Sequence, residues 1–223
     1  MGFAPTALDS GFEAPLVADT ALATPSMQDA AHAVRIAGIV EFPKWTDMLR
    51  RWSVQVATAQ DCIAANDAVD GCVPAEWAQL TAQLRSLDRR ALLDRLNQAI
   101  NAHDYVLASV NWGRNDYWET PFEFMSRNGQ CEDYAIAKFM ILRALGFDND
   151  ALRILVVRDV SRQLDHAVLV VNLDGTDWLL DSLDDQVVPL ARATQYRAYY
   201  AINETGWWLY TSNPLQMASL GTR

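Results

Sequence analysis

From Phe42 to Cys62 the chain places apolar residues three and four positions apart. Trp45, Met48, Leu49, Trp52, Val56 and Ala59 share one side of a 3.6-residue repeat, which predicts an amphipathic helix. A polar stretch, CIAANDAVDGC, then breaks the period with ND and DG turn signals. Pro74 opens a second helical region with Trp77, Leu80 and Leu84. After a restart at Asp88 the period continues through Leu92, Leu93, Leu96 and Ile100. These helices are expected to pack as a hairpin with the polar stretch at their joint. Residues 111–130 carry Gly, Asn, Pro and several aromatics and read as mostly loop. Another helix is expected from Cys131. Ala135, Phe139, Leu142 and Leu145 form one apolar face, and Ile136, Met140 and Ile141 widen it, so this helix should be buried on most sides. Gly146 is a natural stop, and Lys138 and Arg143 read as cations favoured by the helix dipole.

Past Gly146 the pattern changes. ALRILVVRDV, DHAVLVVNLDG and DWLLDSLDDQVVPL are short apolar, β-branched runs, and LDGTD reads as a hairpin turn. At least three antiparallel strands are expected. The aromatic stretch YRAYYAINETGWWLYTSNP adds a last strand or wraps the core. Helices first and strands second predict an α+β fold. Residues 1–38 are expected to form a flexible lead-in, 39–215 one domain and 216–223 a tail. The opening residues lack the basic start and apolar block of an intact signal peptide.

Composition narrows the partners. The 223 residues are 51% hydrophobic, enough for a proper core, and carry a net charge of -10. An acidic chain repels phosphate backbones and anionic lipid, which argues against nucleic acid and membrane surfaces as partners. No run reaches the roughly 20 apolar residues of a membrane-spanning helix.

There are three cysteines. Cys62 and Cys72 flank a loop of a length that can close into a disulfide, which implies an oxidising compartment such as the periplasm. The alternative is two unrelated thiols in a reducing one. Their spacing is not that of a zinc site. Cys131 is then the odd thiol. At a helix start the dipole favours thiolate, the nucleophilic form, but Glu132 and Asp133 follow at once and oppose it.

Of the three histidines, His32 lies in the lead-in, His103 ends a helix, and His166 starts a strand. Asp181 lies in the next strand, between Leu180 and Ser182, where an acid is expensive without a partner. The hairpin near Gly175 brings Asp181 alongside His166. Asp165, Asp184 and Asp185 are nearer turns, where acids are ordinary surface residues. The order Cys131, His166, Asp181 suits acyl transfer through a thiol nucleophile, an imidazole base and an orienting acid.

Joined together, GQCEDYAIAKFMILRALGF, DHAVLVV and WLLDSL resemble the motifs of the bacterial transglutaminase-like cysteine proteinases, whose best-known members are LapG-type periplasmic proteases. DYWETPFEF and the upstream helices extend the resemblance over roughly residues 40–200. It implies a papain-like, transglutaminase-like fold with Cys131 as nucleophile, His166 as general base and acid, and Asp181 orienting the imidazole. It also implies cleavage of a large surface adhesin that governs biofilm attachment, sequestration by a cyclic di-GMP-sensing membrane receptor, and a need for calcium held near the cysteine. No organic cofactor is implied. Glu132 and Asp133 match candidate calcium ligands. Where many members carry Asp before the cysteine, this chain has Gln130, a neutral donor that weakens such a site. Gln130 is instead a candidate side-chain donor to the oxyanion. Two other functions fit the same residues: an amidase or acyltransferase on peptides or cell-wall fragments, and an inactive binding module.

Overall fold

A computed structural model describes residues 33–210. The described residues begin with strand β1 (Ala33–Ala37) and continue through helices α1 (Pro43–Asn66), α2 (Ala75–Arg85), α3 (Arg89–Asn101), α4 (Ala108–Trp112), α5 (Pro121–Arg127) and α6 (Cys131–Ala144). Strands β2 (Leu152–Asp159), β3 (Leu164–Leu173), β4 (Thr176–Asp181), β5 (Asp184–Pro189), β6 (Tyr196–Ile202) and β7 (Gly206–Tyr210) follow. All seven strands form one antiparallel sheet in the order β1-β7-β6-β2-β3-β4-β5. The architecture is the expected α+β arrangement, with the helices before the sheet strands except for β1.

Local chemistry sets the helix boundaries. Asp88 caps α3 by accepting the N–H groups of Arg90 and Ala91 at 3.0 and 2.9 Å. Thr120 and Glu123 form a reciprocal capping box on α5, with Pro121 in its first turn. Asp174 and Gly175 both have positive φ, 52° and 80°, as a two-residue hairpin turn between β3 and β4 requires.

Every residue of α6 from Cys131 to Leu142 is buried. The helix packs against β3 and β2 on one side and against α3 and α5 on the other. Trp45, fully buried on α1, meets Phe139 edge to face at 5.7 Å and donates its indole N–H to the Asn203 carbonyl at 2.9 Å. Trp52, Trp77 and Phe122 pack mutually with ring centroids 4.9–5.3 Å apart, joining α1, α2 and α5. Cys62 and Cys72 are bonded as a disulfide, the chemistry of an exported protein. No helix among the described residues is long and apolar enough to cross a membrane.

Several expectations are corrected. Residues 33–37, assigned to the lead-in, form β1 and pair with β7, so the domain starts before residue 39. The rest of the lead-in, with His32, and residues 211–223 lie outside the described residues. The first helix runs past Cys62 to Asn66, because the polar stretch after Cys62 has no helix breaker before Asp67, which ends it at φ 49°. Residues 111–130, expected to be mostly loop, also hold a short helix, because the Thr120–Glu123 capping box starts α5. DWLLDSLDDQVVPL folds into the β4–β5 hairpin, and the late aromatic stretch supplies both β6 and β7.

Candidate active site

Cys131 is the first residue of α6, and its start is held by Asp133. Asp133 Oδ2 accepts the Gln130 N–H at 3.0 Å, and Oδ1 accepts the Glu119 N–H at 2.7 Å. This carboxylate therefore stitches the helix to the segment before α5. Gly129 permits the approach, because a Cβ there would lie 2.7 Å from Asp133 Oδ2.

The sulfur itself is buried. Its thiol donates to Glu132 Oε2 at 3.3 Å. Burial pushes the thiol well up, and the Glu132 charge and hydrogen bond push the same way. An N–H interaction from Ala167 on β3 opposes them and favours thiolate. The Cys131 thiol therefore stands beside the residue that follows His166 in the chain.

His166 and Asp181 are both buried and directly bonded. Nε2 of His166 is 2.8 Å from Asp181 Oδ1, which also accepts the Leu183 N–H at 2.9 Å. Tyr196 donates its hydroxyl to Asp181 Oδ2. Burial alone would raise the Asp181 carboxyl, but the bonds from His166, Tyr196 and Leu183 outweigh it and hold it down at about 2. An ionised Asp181 at Nε2 makes that nitrogen the N–H donor, leaving Nδ1 to exchange a proton. The rival acids lie elsewhere. Asp165 pairs with Arg158 and Tyr199, Asp184 accepts the Gln186 N–H, and Asp185 accepts from Asn101.

Three carboxylates are buried near the thiol: Glu119, Glu132 and Asp133. Burial raises all three, and Asp133 rises further because Glu132 and Glu119 are negative beside it. Glu119 Oε1 accepts from Trp112 at 2.6 Å and Asn111 at 3.2 Å, whereas its buried Oε2 has no hydrogen-bond partner. Gln130 donates its amide to Glu132 Oε1, and its own Oε1 accepts the Ala108 N–H at 3.4 Å. The amide expected to face an oxyanion is thus directed to Glu132.

Four contributors were not anticipated. The phenol of Tyr105 lies beside the backbone of Cys131. Tyr196 reaches Asp181 from β6, which is not joined to β4 by a hairpin, and no local pattern announces it. Glu119 stood within DYWETPFEF, read only for its aromatics. Lys138, expected to serve the helix dipole, is instead fully buried, with Nζ 2.7 Å from the side-chain oxygens of both Asn97 and Asn101. The neighbouring helix α3 supplies partners that a helix dipole alone does not.

Comparison with known proteins identifies the family. The family model for the bacterial transglutaminase-like cysteine proteinase BTLCP matches residues 62–213. Solved structures of Legionella pneumophila LapG superpose on the chain. The EGTA-treated form is 28% identical, covering 61% of this chain and 75% of its own, with a TM-score of 0.55. The calcium-bound form is 28% identical, covering 62% and 80%, with a TM-score of 0.54. No curated protein matches. Since the family model spans well over half of the sequence and a solved relative shares the fold, the chain belongs to the bacterial transglutaminase-like cysteine proteinases and is a cysteine peptidase.

Proposed function

We propose that this chain is a periplasmic endopeptidase that uses Cys131, His166 and Asp181 to cut an exported protein, a large cell-surface adhesin, and so releases cells from a biofilm. The observation that carries the reading is the buried His166–Asp181 bond of 2.8 Å, on the strand whose Ala167 backbone lies beside the Cys131 thiol. In this reading His166 Nδ1 takes the thiol proton as the sulfur attacks the scissile carbonyl. The oxyanion is received by the Cys131 N–H and the Tyr105 hydroxyl that lies beside it. The protonated imidazole then gives its proton to the leaving amine, and a thioester remains. Water, activated by the same imidazole, frees the acid and regenerates the thiol. Asp181, fixed by Tyr196 and Leu183, holds the ring and stabilises its charged form.

Before attack the thiol must leave Glu132 for His166. The Glu132 contact keeps it protonated, so Glu132 acts as a brake in this arrangement. A hard cation fits the donor chemistry beside it. Glu119 has a buried oxygen without a partner, and Glu132 and Asp133 add anionic oxygens. As the side chains stand, no three acids, histidines or cysteines among the described residues converge on one point. Drawn together by side-chain rearrangement, Glu132, Asp133 and Glu119 would hold calcium, and its charge would offset the carboxylates next to the sulfur. Gln130 makes calcium less necessary here, because its amide already supplies one donor to Glu132. A cyclic di-GMP-sensing membrane receptor that sequesters the protease completes the proposed system.

The test is incubation of the native chain and Cys131→Ala with an N-terminal fragment of a large surface adhesin, with and without an added amine. Mass spectrometry should show a single new terminus with the native chain and none with the variant. Cleavage by Cys131→Ala would sink the reading. An amine-adduct product in place of the hydrolysed one would identify an acyltransferase instead.

A further inference from the structure

Lys138 lies seven positions after Cys131, two turns along the same side of α6 and about 10 Å away along the axis. The proposed reaction does not use it, and it is fully buried. A buried ammonium is costly unless its N–H groups find acceptors. Two are supplied by α3: Asn97 Oδ1 and Asn101 Oδ1, each at 2.7 Å.

These contacts orient the asparagines. An ammonium has donors and no acceptor, so each amide must turn its oxygen to Lys138 and its NH2 away. The NH2 of Asn97 then donates to the Asp184 carbonyl at 2.8 Å. The NH2 of Asn101 donates to the Asp181 carbonyl at 2.8 Å, the Asp184 carbonyl at 3.2 Å and Asp185 Oδ1 at 3.1 Å. A flipped amide would set NH2 against the ammonium and oxygen against carbonyl oxygens. Lys138 therefore fixes the direction of a hydrogen-bond chain that starts on the cysteine helix, crosses α3 and ends on the main chain of Asp181. Asp181 and Asp184 face each other where β4 turns into β5, so the chain clamps both sides of that turn. Burial pulls Lys138 down to about 7, and the negative charges of Asp181 and Asp185 counter it only in part.

We propose that Lys138, acting through Asn97 and Asn101, is a positioning residue for the peptidase reaction: it locks the β4–β5 turn so that Asp181 stays in line with His166. The proposal rests on the reading of Cys131, His166 and Asp181 as the catalytic set. Charge is not the essential point. What matters is that one amine, donating to both asparagine oxygens, dictates how two amides present their own donors to the backbone that carries the orienting acid.

The experiment uses p-nitrophenyl acetate, which reports thiol acylation and turnover without the natural substrate. Asn101→Asp is isosteric and keeps the acceptor for Lys138, but it turns an oxygen to the Asp181 carbonyl. Lys138→Met removes the hub. Each folded variant should lose about 10- to 100-fold in kcat with KM unchanged. In an Asp181→Asn background the same changes should cost nothing further, because the group they position is already disabled. Folding is checked by the thermal midpoint, and if Lys138→Met does not fold, Asn101→Asp carries the test. Near-native kcat in folded Asn101→Asp, or a loss that multiplies in the Asp181→Asn background, would overturn the proposal. Cys131→Ala serves as the separate control. If it turns over as fast as the native chain, the catalytic reading fails, whatever Lys138 does.

Discussion

Tyr196 donates its hydroxyl to Asp181 Oδ2, the carboxylate oxygen that His166 leaves free. The acid is thus held from two strands at once, with its rotation fixed as well as its charge. Tyr196→Phe keeps the ring, which lies 5.9 Å from the imidazole, and deletes only the donor. A drop in kcat of about tenfold is expected, equivalent to about 1.4 kcal/mol of lost stabilisation. Steady-state hydrolysis of p-nitrophenyl acetate measures it. An unchanged kcat would mean that His166 and Leu183 orient Asp181 without help.

Acid should reveal the same group as a stability effect. The Asp181 carboxyl is held at about 2 in the folded chain against an ordinary value of 3.8. A depressed acid stabilises the fold fully above its unfolded value, and the contribution disappears as pH falls through the folded one. The thermal midpoint of the native chain should therefore exceed that of Asp181→Asn at pH 5. The gap should close as pH falls from about 4 to about 2. A gap that stays constant over that range would show that Asp181 carries no such linkage.

Reduction of Cys62–Cys72 should weaken the fold. The bond spans 10 positions, and closing a loop of that size removes unfolded-state entropy equivalent to about 2–3 kcal/mol. Urea unfolding of a Cys62→Ala, Cys72→Ala double variant should show that loss as a lower midpoint. An unchanged midpoint would show that α1 and the loop before α2 are already held by Trp52, Trp77 and Phe122.

Calcium binding should depend on the residue before the nucleophile. Gln130→Asp exchanges an amide that donates to Glu132 for a carboxylate that repels it, adding an anionic oxygen ligand. Calorimetric titration with calcium chloride should show tighter binding by at least about tenfold in the variant. Hydrolysis by the native chain should be the less sensitive of the two to a chelator. A strict calcium requirement in the native chain would refute this reading of Gln130.

The linear sequence determined much of this protein, wherever the deciding physics is local. The 3.6-residue repeat of α1 and α3, the cap at Asp88, the apolar α6 and the positive-φ turn at Asp174 and Gly175 each involve neighbours a few residues apart. His166 and Asp181 could be paired because a tight hairpin joins their strands, and an acid inside an apolar strand needs a partner. The tertiary structure alone decided what depends on distant segments. It set β1 against β7, brought Tyr196 to Asp181, and turned the Cys131 thiol to Glu132. The contradiction between Lys138 as a dipole cation and Lys138 as a buried hub shows the reason. A side chain's charge is written in the sequence, but its partners, Asn97 and Asn101, are chosen by how two helices pack, and burial then gives those partners their energetic weight.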